Sequence, residues 1–158
     1  MPRTPLRVAL VSDTHNLVRP ELLTFVQGCD AIVHAGDICE PSVLDQLGRI
    51  APLTVVRGNN DRGAWADALP VQTVVEIGGV SIAVVHELPD LQGDPAAQGV
   101  AVVVSGHSHK PTQETRDGVL YVNPGSAGPR RFTLPVSAAM LTIGNDGALH
   151  VGHSRLID

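Results

Sequence analysis

Two of the seven histidines in this 158-residue chain stand two apart at the end of an apolar run, His107 and His109 in "VVVSGHSHKP". Residues i and i+2 of an extended segment project to the same side, so both imidazoles can face one ligand. The placement recurs along the chain. "RVALVS" is followed by Asp13 and His15, "AIVHAG" by Asp37, "TVVRG" by Asn59, Asn60 and Asp61, and "SIAVV" by His86. Imidazole and carboxylate oxygen together suit Zn, Mn, Fe, Co or Ni. With no cysteine read as adjoining these residues, a structural zinc site closed by thiolates is not expected. Two Asp, one Asn and four His exceed the shell of one ion once water is included. Two ions sharing a carboxylate would use them all.

The elements that must position these groups are legible as apolar runs. "LRVALVS", "DAIVHAG" and "LTVVRG" read as strands, separated by helical stretches "RPELLTFVQG" and "EPSVLDQLGRI" that each carry a proline near the start. Buried strands alternating with helices predict a parallel sheet. In such sheets ligands bind beyond the carboxyl ends of the strands, where the candidate residues fall. The second half reads as strands joined by tight turns. "VQTVVEI" and "VSIAVVH" flank Gly78-Gly79, "TQETR" and "VLYVN" flank Asp117-Gly118, and "VSAAMLTIG" and "ALHVGHS" flank Asp146-Gly147. No repeat or linker interrupts the chain, so residues 1–158 are expected to form one α/β domain.

Composition sets further bounds. The chain is 43% hydrophobic and 17% charged, as folded globular proteins are, and only 3% aromatic, so Val, Leu, Ile and Ala must build the core. No apolar run approaches the roughly 20 residues of a membrane span, and the run in "MPRTPLRVALVSD" is too short for a secretory leader. A cytoplasmic location is expected, with Cys29 and Cys39 as free thiols. The net charge of −5 argues against broad nucleic-acid binding, which rests on Lys and Arg neutralising phosphate.

The series "DTH", "GD", "GNND", "H" and "GHSH", running from Asp13 to about Ser126, resembles the signature of the calcineurin-like metallophosphoesterase superfamily. It is similar above all to the small single-domain bacterial and archaeal phosphodiesterases, the group that also contains the retromer subunit Vps29. The resemblance implies two mixed β-sheets packed as a sandwich with flanking helices (αββα). It also implies a dinuclear centre of divalent transition metals, manganese foremost, with Ni, Fe, Zn and Co as alternatives. Carried over residue by residue, Asp13, His15 and His109 would hold one ion and Asn59, His86 and His107 the other. Asp37 would bridge them, and Asp37, Asn59 and His107 are the residues expected to take part in catalysis. A bridging hydroxide would attack the phosphorus of a small phosphoester, with nucleotide-type diesters among the candidates. Two divalent ions outweigh two carboxylates and a hydroxide, so an acidic chain can still hold phosphate. A homo-oligomer is compatible with the sequence.

The loop "VNPGSAG", with Asn123, Gly125 and Ser126, resembles one that closes the site in this group. Two positions depart from the family pattern. Asn60 stands where many members carry a histidine able to protonate the leaving group. Glu87 stands where glycine usually follows the histidine; a carboxylate there could orient the neighbouring ligand, bind a metal or face water, and facing water is the expectation. His34 is expected to be buried beside the site and His150 and His153 to lie on the surface; Arg57, Arg62, Arg130 and Arg131 lie near the motif loops and could clamp phosphate, but are expected to be ordinary surface arginines. The alternative function is a weakly catalytic or non-catalytic interaction scaffold of the Vps29 type, which would tolerate loss of ligand histidines. All seven presumed ligands are present, which favours the enzyme. A structural protein with one metal fails on ligand count.

Overall fold

The apolar runs fold into two five-stranded sheets in a computed structural model that describes residues 5–157. Residues 1–4, part of the stretch read against a leader, and residue 158 lie outside the described residues. The first sheet is built from β1 (Leu6–Val11), β2 (Ala31–His34), β3 (Leu53–Val55), β9 (Ser137–Ile143) and β10 (Leu149–Arg155), in the order β10-β9-β1-β2-β3. β1, β2 and β3 run parallel, with Val8 beside Ala31 and Ile32 beside Leu53, while β9 and β10 pair antiparallel at the edge. The second sheet holds β4 (Gln72–Ile77), β5 (Val80–Val85), β6 (Val102–Val104), β7 (Thr112–Arg116) and β8 (Val119–Asn123), in the order β4-β5-β6-β8-β7. Here β5, β6 and β8 are parallel, and β4 and β7 pair antiparallel on the outside.

Alternation decides which face each residue buries. Val8 and Leu10 of β1 face the second sheet and pack with Val33, Ile82, Val84, Val102, Val104 and Leu141. Their neighbours Ala9 and Val11 face outward and pack under helices α1 (Pro20–Val26) and α2 (Pro41–Gly48). Each helix begins with its proline, where the missing N–H costs nothing, and buries an i, i+4 pair: Leu22 with Val26, and Val43 with Leu47. A third short helix, α3 (Ala64–Asp67), was not evident in the sequence. The outer face of the second sheet is covered by the connection after β5, through Leu88, Leu91 and Val100 against Val103 and Val119. The side chains fully buried between the sheets each contribute about 1.5–3 kcal/mol.

All three hairpins form where Gly78-Gly79, Asp117-Gly118 and Asp146-Gly147 predicted them, and Gly78 and Gly79 have φ of 58° and 79°, the double left-handed turn that matches strand twist. Among the described residues no helix is long and apolar enough to cross a membrane. Cys29 and Cys39 are free thiols. The parallel strands end at one rim of the sandwich, and there the chain releases its histidines and carboxylates.

Candidate metal centre

The loops after β1, β2 and β3 supply Asp13 and His15, Asp37, and Asn59; those after β5 and β6 supply His86, and His107 with His109. Backbone hydrogen bonds lace these loops together. Asp13 N–H donates to the Gly36 carbonyl, His15 N–H to that of Asp37, and Gly106 N–H to that of His86. The carboxyl oxygens of Asp61 each accept two backbone N–H groups, from Asp37 and Gly58 at 3.0 and 2.8 Å and from Ile38 and Cys39 at 2.8 Å. Asp61 thus shapes the loop that presents Asp37.

All seven residues singled out from the sequence converge at this rim. Asp13 Oδ1 lies 3.4 Å from His109 Nε2, 3.7 Å from His15 Nε2 and 3.9 Å from His86 Nε2. Asp37 Oδ2 lies 3.6 Å from His15 Nε2 and 3.3 Å from His86 Nε2. Asn59 Oδ1 faces His86 Nε2 at 3.0 Å and His107 Nδ1 at 3.3 Å. Asp13, Asp37, His86 and His109 are buried and form a floor, whereas Asn59 and His107 are exposed at the edge.

The donor atoms fit a cation. Atoms bound to one ion at about 2.1 Å stand roughly 3–3.5 Å apart, close to the spacing here. Two compact groups could each hold an ion, Asp13 with His15 and His109, and Asp13 with Asp37 and His86. Asp13 Oδ2 is taken up by the Ser12 hydroxyl and the His107 N–H, which leaves Oδ1 free for the histidines. Among the described residues, the buried polar atoms with no hydrogen-bond partner are Asp13 Oδ1, His15 Nε2 and His109 Nδ1. An unpaired buried polar atom costs about 1–3 kcal/mol, and a cation would relieve the first two. Asn59 repeats the pattern. Its amide oxygen is turned toward other lone pairs, although the reverse orientation would let its NH2 donate to Asp37, His86 and His107.

The electrostatics follow from crowding. Burial pushes the Asp13 carboxyl up, but the imidazoles of His109, His15 and His86 outweigh it and hold the group well below the usual carboxylate range. Asp37 is likewise raised by burial and more strongly lowered by His86 and the Asn60 N–H. For His86, burial favours the neutral ring, yet Asp37 and Asp13 lift it to about 8. Five of the seven residues have left-handed backbones: Asp13, His15, Asp37, His107 and His109 have φ between 44° and 74°. Such conformations cost roughly 1–2 kcal/mol each in a non-glycine residue.

Residues around the seven act on their positions. Asn60 donates its backbone N–H to Asp37 Oδ1 at 2.9 Å and its side-chain amide to Oδ2 at 3.0 Å. Asn123 donates to the Gly106 carbonyl and the Ser108 hydroxyl and accepts from Gly125 N–H, while the Ser126 hydroxyl donates to the Asp13 carbonyl. The "VNPGSAG" loop therefore props two of the loops that carry candidate ligands. Three sequence readings change. Cys39 does adjoin the site, with Sγ 3.7 Å from His15 Nδ1, because the left-handed turn after Asp37 folds it back. Burial, with Asp61, Asp37 and Asp13 nearby, pushes this thiol up to about 11, so it stays protonated at neutral pH. Glu87 does not simply face water, since its Oε1 lies 3.2 Å from His107 Nε2. His153 is half-buried and its ring meets the Asn123 carbonyl, whereas His150 is exposed. Arg62, Arg130 and Arg131 are exposed, and Arg57 pairs with Asp67.

His34 is buried completely and bonded on both ring nitrogens. Gly36 N–H can only donate, so Nδ1 accepts it and Nε2–H donates to the Thr14 hydroxyl. Burial drives its pKa from 6.5 down to about 4. The unfolded chain then binds more protons between those values, so this contribution is complete above pH 6.5 and lost as pH falls toward 4. Urea titrations of the chelator-treated chain should show a loss of about 3 kcal/mol across that window. His34→Gln, which cannot take up a proton, should flatten it.

A two-sheet sandwich with imidazoles and carboxylates gathered beyond its parallel strand ends defines a metallophosphoesterase fold with a candidate metal site. The chain belongs to the calcineurin-like phosphoesterase superfamily, whose domain pattern matches residues 6–146. It is 30% identical over 140 residues to a probable metallophosphoesterase of Methanothermobacter thermautotrophicus, covering 81% of each chain. It is 31% identical over 153 residues to the probable metallophosphoesterase YsnB of Bacillus subtilis, covering 90% of this chain and 88% of that one. The solved structure of vacuolar protein sorting 29 from Cryptosporidium parvum has the same fold, with a TM-score of 0.77 at 19% identity over 96% of this chain and 98% of that one.

Proposed function

We propose that the chain is a phosphodiesterase whose seven rim residues hold two divalent transition-metal ions. Asp13, His15 and His109 hold one, Asn59, His86 and His107 the other, and Asp37 stands between them. The observation that carries this reading is the position of Asp37 Oδ2, 3.6 Å from His15 Nε2 on one side and 3.3 Å from His86 Nε2 on the other. Divalent ions bound there, manganese foremost, would polarise a phosphoryl oxygen and make a water acidic enough to serve as nucleophile. The protein's own groups do the rest. The buried floor of Asp13, Asp37, His86 and His109 fixes the charge, and Asn59 and His107 border the open side where a phosphoester can approach.

Asn60 has no proton to give. Its amide is committed to Asp37 and is not an acid at neutral pH. The leaving group must therefore depart with little help, which favours activated or nucleotide-type diesters over alkyl esters. We place the protein in the cytoplasm, as one domain over residues 1–158.

The test is metal analysis joined to a leaving-group series. After reconstitution with Mn, Ni, Zn or Fe the chain should retain close to two equivalents, and kcat/KM for aryl and alkyl diesters should fall steeply as leaving-group pKa rises. Asn60→His should help the poor leaving groups most, by up to about 10²–10⁴-fold, and leave the best nearly unchanged. A limit of one metal would end the dinuclear reading. A flat series would show that another group supplies the proton. No hydrolysis with any metal would favour a scaffold.

A further inference from the structure

Glu87 follows His86 directly, in extended backbone (φ −117°, ψ 125°) at the entrance to the short 3₁₀ turn Leu88–Asp90. From there its carboxylate crosses to the neighbouring strand end, where Oε1 meets His107 Nε2 at 3.2 Å. The opposite nitrogen of that ring, Nδ1, is the one turned toward Asn59 Oδ1, at 3.3 Å. The His107 ring also stands edge-on to that of His86, with centroids 5.3 Å apart.

A carboxylate at neutral pH only accepts hydrogen bonds. Its partner nitrogen must carry the hydrogen, which leaves the lone pair on the other one. We propose that Glu87 is a positioning residue that holds the His107 ring with Nε2–H toward its carboxylate and the Nδ1 lone pair turned to the side of Asn59 and His86, completing the half of the centre that is otherwise most exposed. His107 needs such a partner more than the other histidines do. Its side chain is 48% exposed, against 3% for His86 and 5% for His109, so packing does not hold the ring. Carboxylate partners of ligand imidazoles commonly fix tautomer and orientation, and their loss costs about 10–100-fold in metal affinity. Glycine at this position would supply neither.

The proposal rests on the metal-centre reading, and two readouts separate the fates of the two. The first needs no metal. Long-range ¹H–¹⁵N spectra of the metal-free chain should show His107 as the Nε2–H tautomer, shifting to a mixture in Glu87→Gly and staying Nε2–H in Glu87→Gln, whose amide oxygen still accepts. The second is a Co(II) titration against a chromophoric chelator. Glu87→Gly should weaken one of two equivalents about 10–100-fold and leave the other unchanged. Glu87→Gln should stay within about threefold of the parent, and His107→Ala should lose the same equivalent as Glu87→Gly. An unchanged tautomer and two unchanged affinities in Glu87→Gly would overturn the role of Glu87, as would a Gln variant as weak as the Gly one. A parent that binds no Co(II) while the tautomer still follows residue 87 would overturn the metal-centre reading alone.

Discussion

Asp37→Asn is expected to empty both halves of the centre together. The substitution removes the charge and exchanges one carboxylate oxygen for an NH2 group, while the side chain keeps its shape and its place 2% exposed in the rim. Because Asp37 Oδ2 sits between His15 and His86, both groups of donors lose a neighbouring anion and keep only the Asp13 carboxylate. Partners one step removed from a metal already cost about 10–100-fold in affinity, so a lost shared ligand should cost more than about 100-fold at both sites. Metal content by mass spectrometry after dialysis, with phosphodiesterase activity alongside, gives the readout. His109→Ala is the contrast, since it should weaken mainly the group built on Asp13 and His15. Full metal content and activity in Asp37→Asn would remove Asp37 from the position between the ions.

Gly58→Ala should be strongly disruptive although it replaces no candidate ligand. A Cβ at Gly58 would fall 2.2 Å from the Asp37 backbone nitrogen and 2.2 Å from its Oδ1. Backbone cannot yield as a side-chain tip can, so the loops after β2 and β3 must separate. Their parting also strains the Asp61 hydrogen bonds to Gly58 and Asp37. Destabilisation of about 3 kcal/mol, the upper end for overpacking, should accompany loss of metal. Gly48→Ala is the matched control, because nothing lies within 4 Å of a Cβ there and the position closes helix α2. That variant should be neutral or slightly stabilising in thermal melts, with metal binding intact. A Gly58→Ala protein as stable and as metal-competent as the Gly48→Ala one would show that the loops can part without cost.

What could be read in the sequence was what period and punctuation encode. Apolar runs of strand length marked β1, β2, β5 and β6, and one Gly-Gly and two Asp-Gly steps marked the hairpins. The ligand candidates were legible because they follow directly on those runs, so strand ends and chemistry coincide along the chain. Asp61 was visible as a residue but not as an organiser, since the amides of Ile38 and Cys39 reach it across more than twenty positions. Cys39 and Glu87 escaped for a related reason. Their neighbours His15 and His107 lie in loops that follow other strands, and only the parallel pairing of β1 with β2 and of β5 with β6 brings them together. Asn60 was read for the proton it lacks, whereas its two bonds to Asp37 depend on how one loop lies over another. Helix α3 was missed because four residues are too few for a 3.6-residue period to show.

The left-handed backbones of Asp13, His15, Asp37, His107 and His109 carry a consequence for how this protein can change. At His15, His107 and His109, whose side chains do not tie the loops together as the two carboxylates do, glycine would relax the backbone and remove a candidate ligand, so thermal robustness and metal chemistry would pull on the same residue in opposite directions. A laboratory library selected for solubility and heat resistance alone should drift toward glycine or asparagine there, shedding candidate ligands one at a time while keeping the sandwich intact. The two sheets would scarcely register the loss, because their cores lie away from the rim. An inert descendant of this fold is therefore a short downhill walk away, whereas the return journey must climb against the backbone at every step.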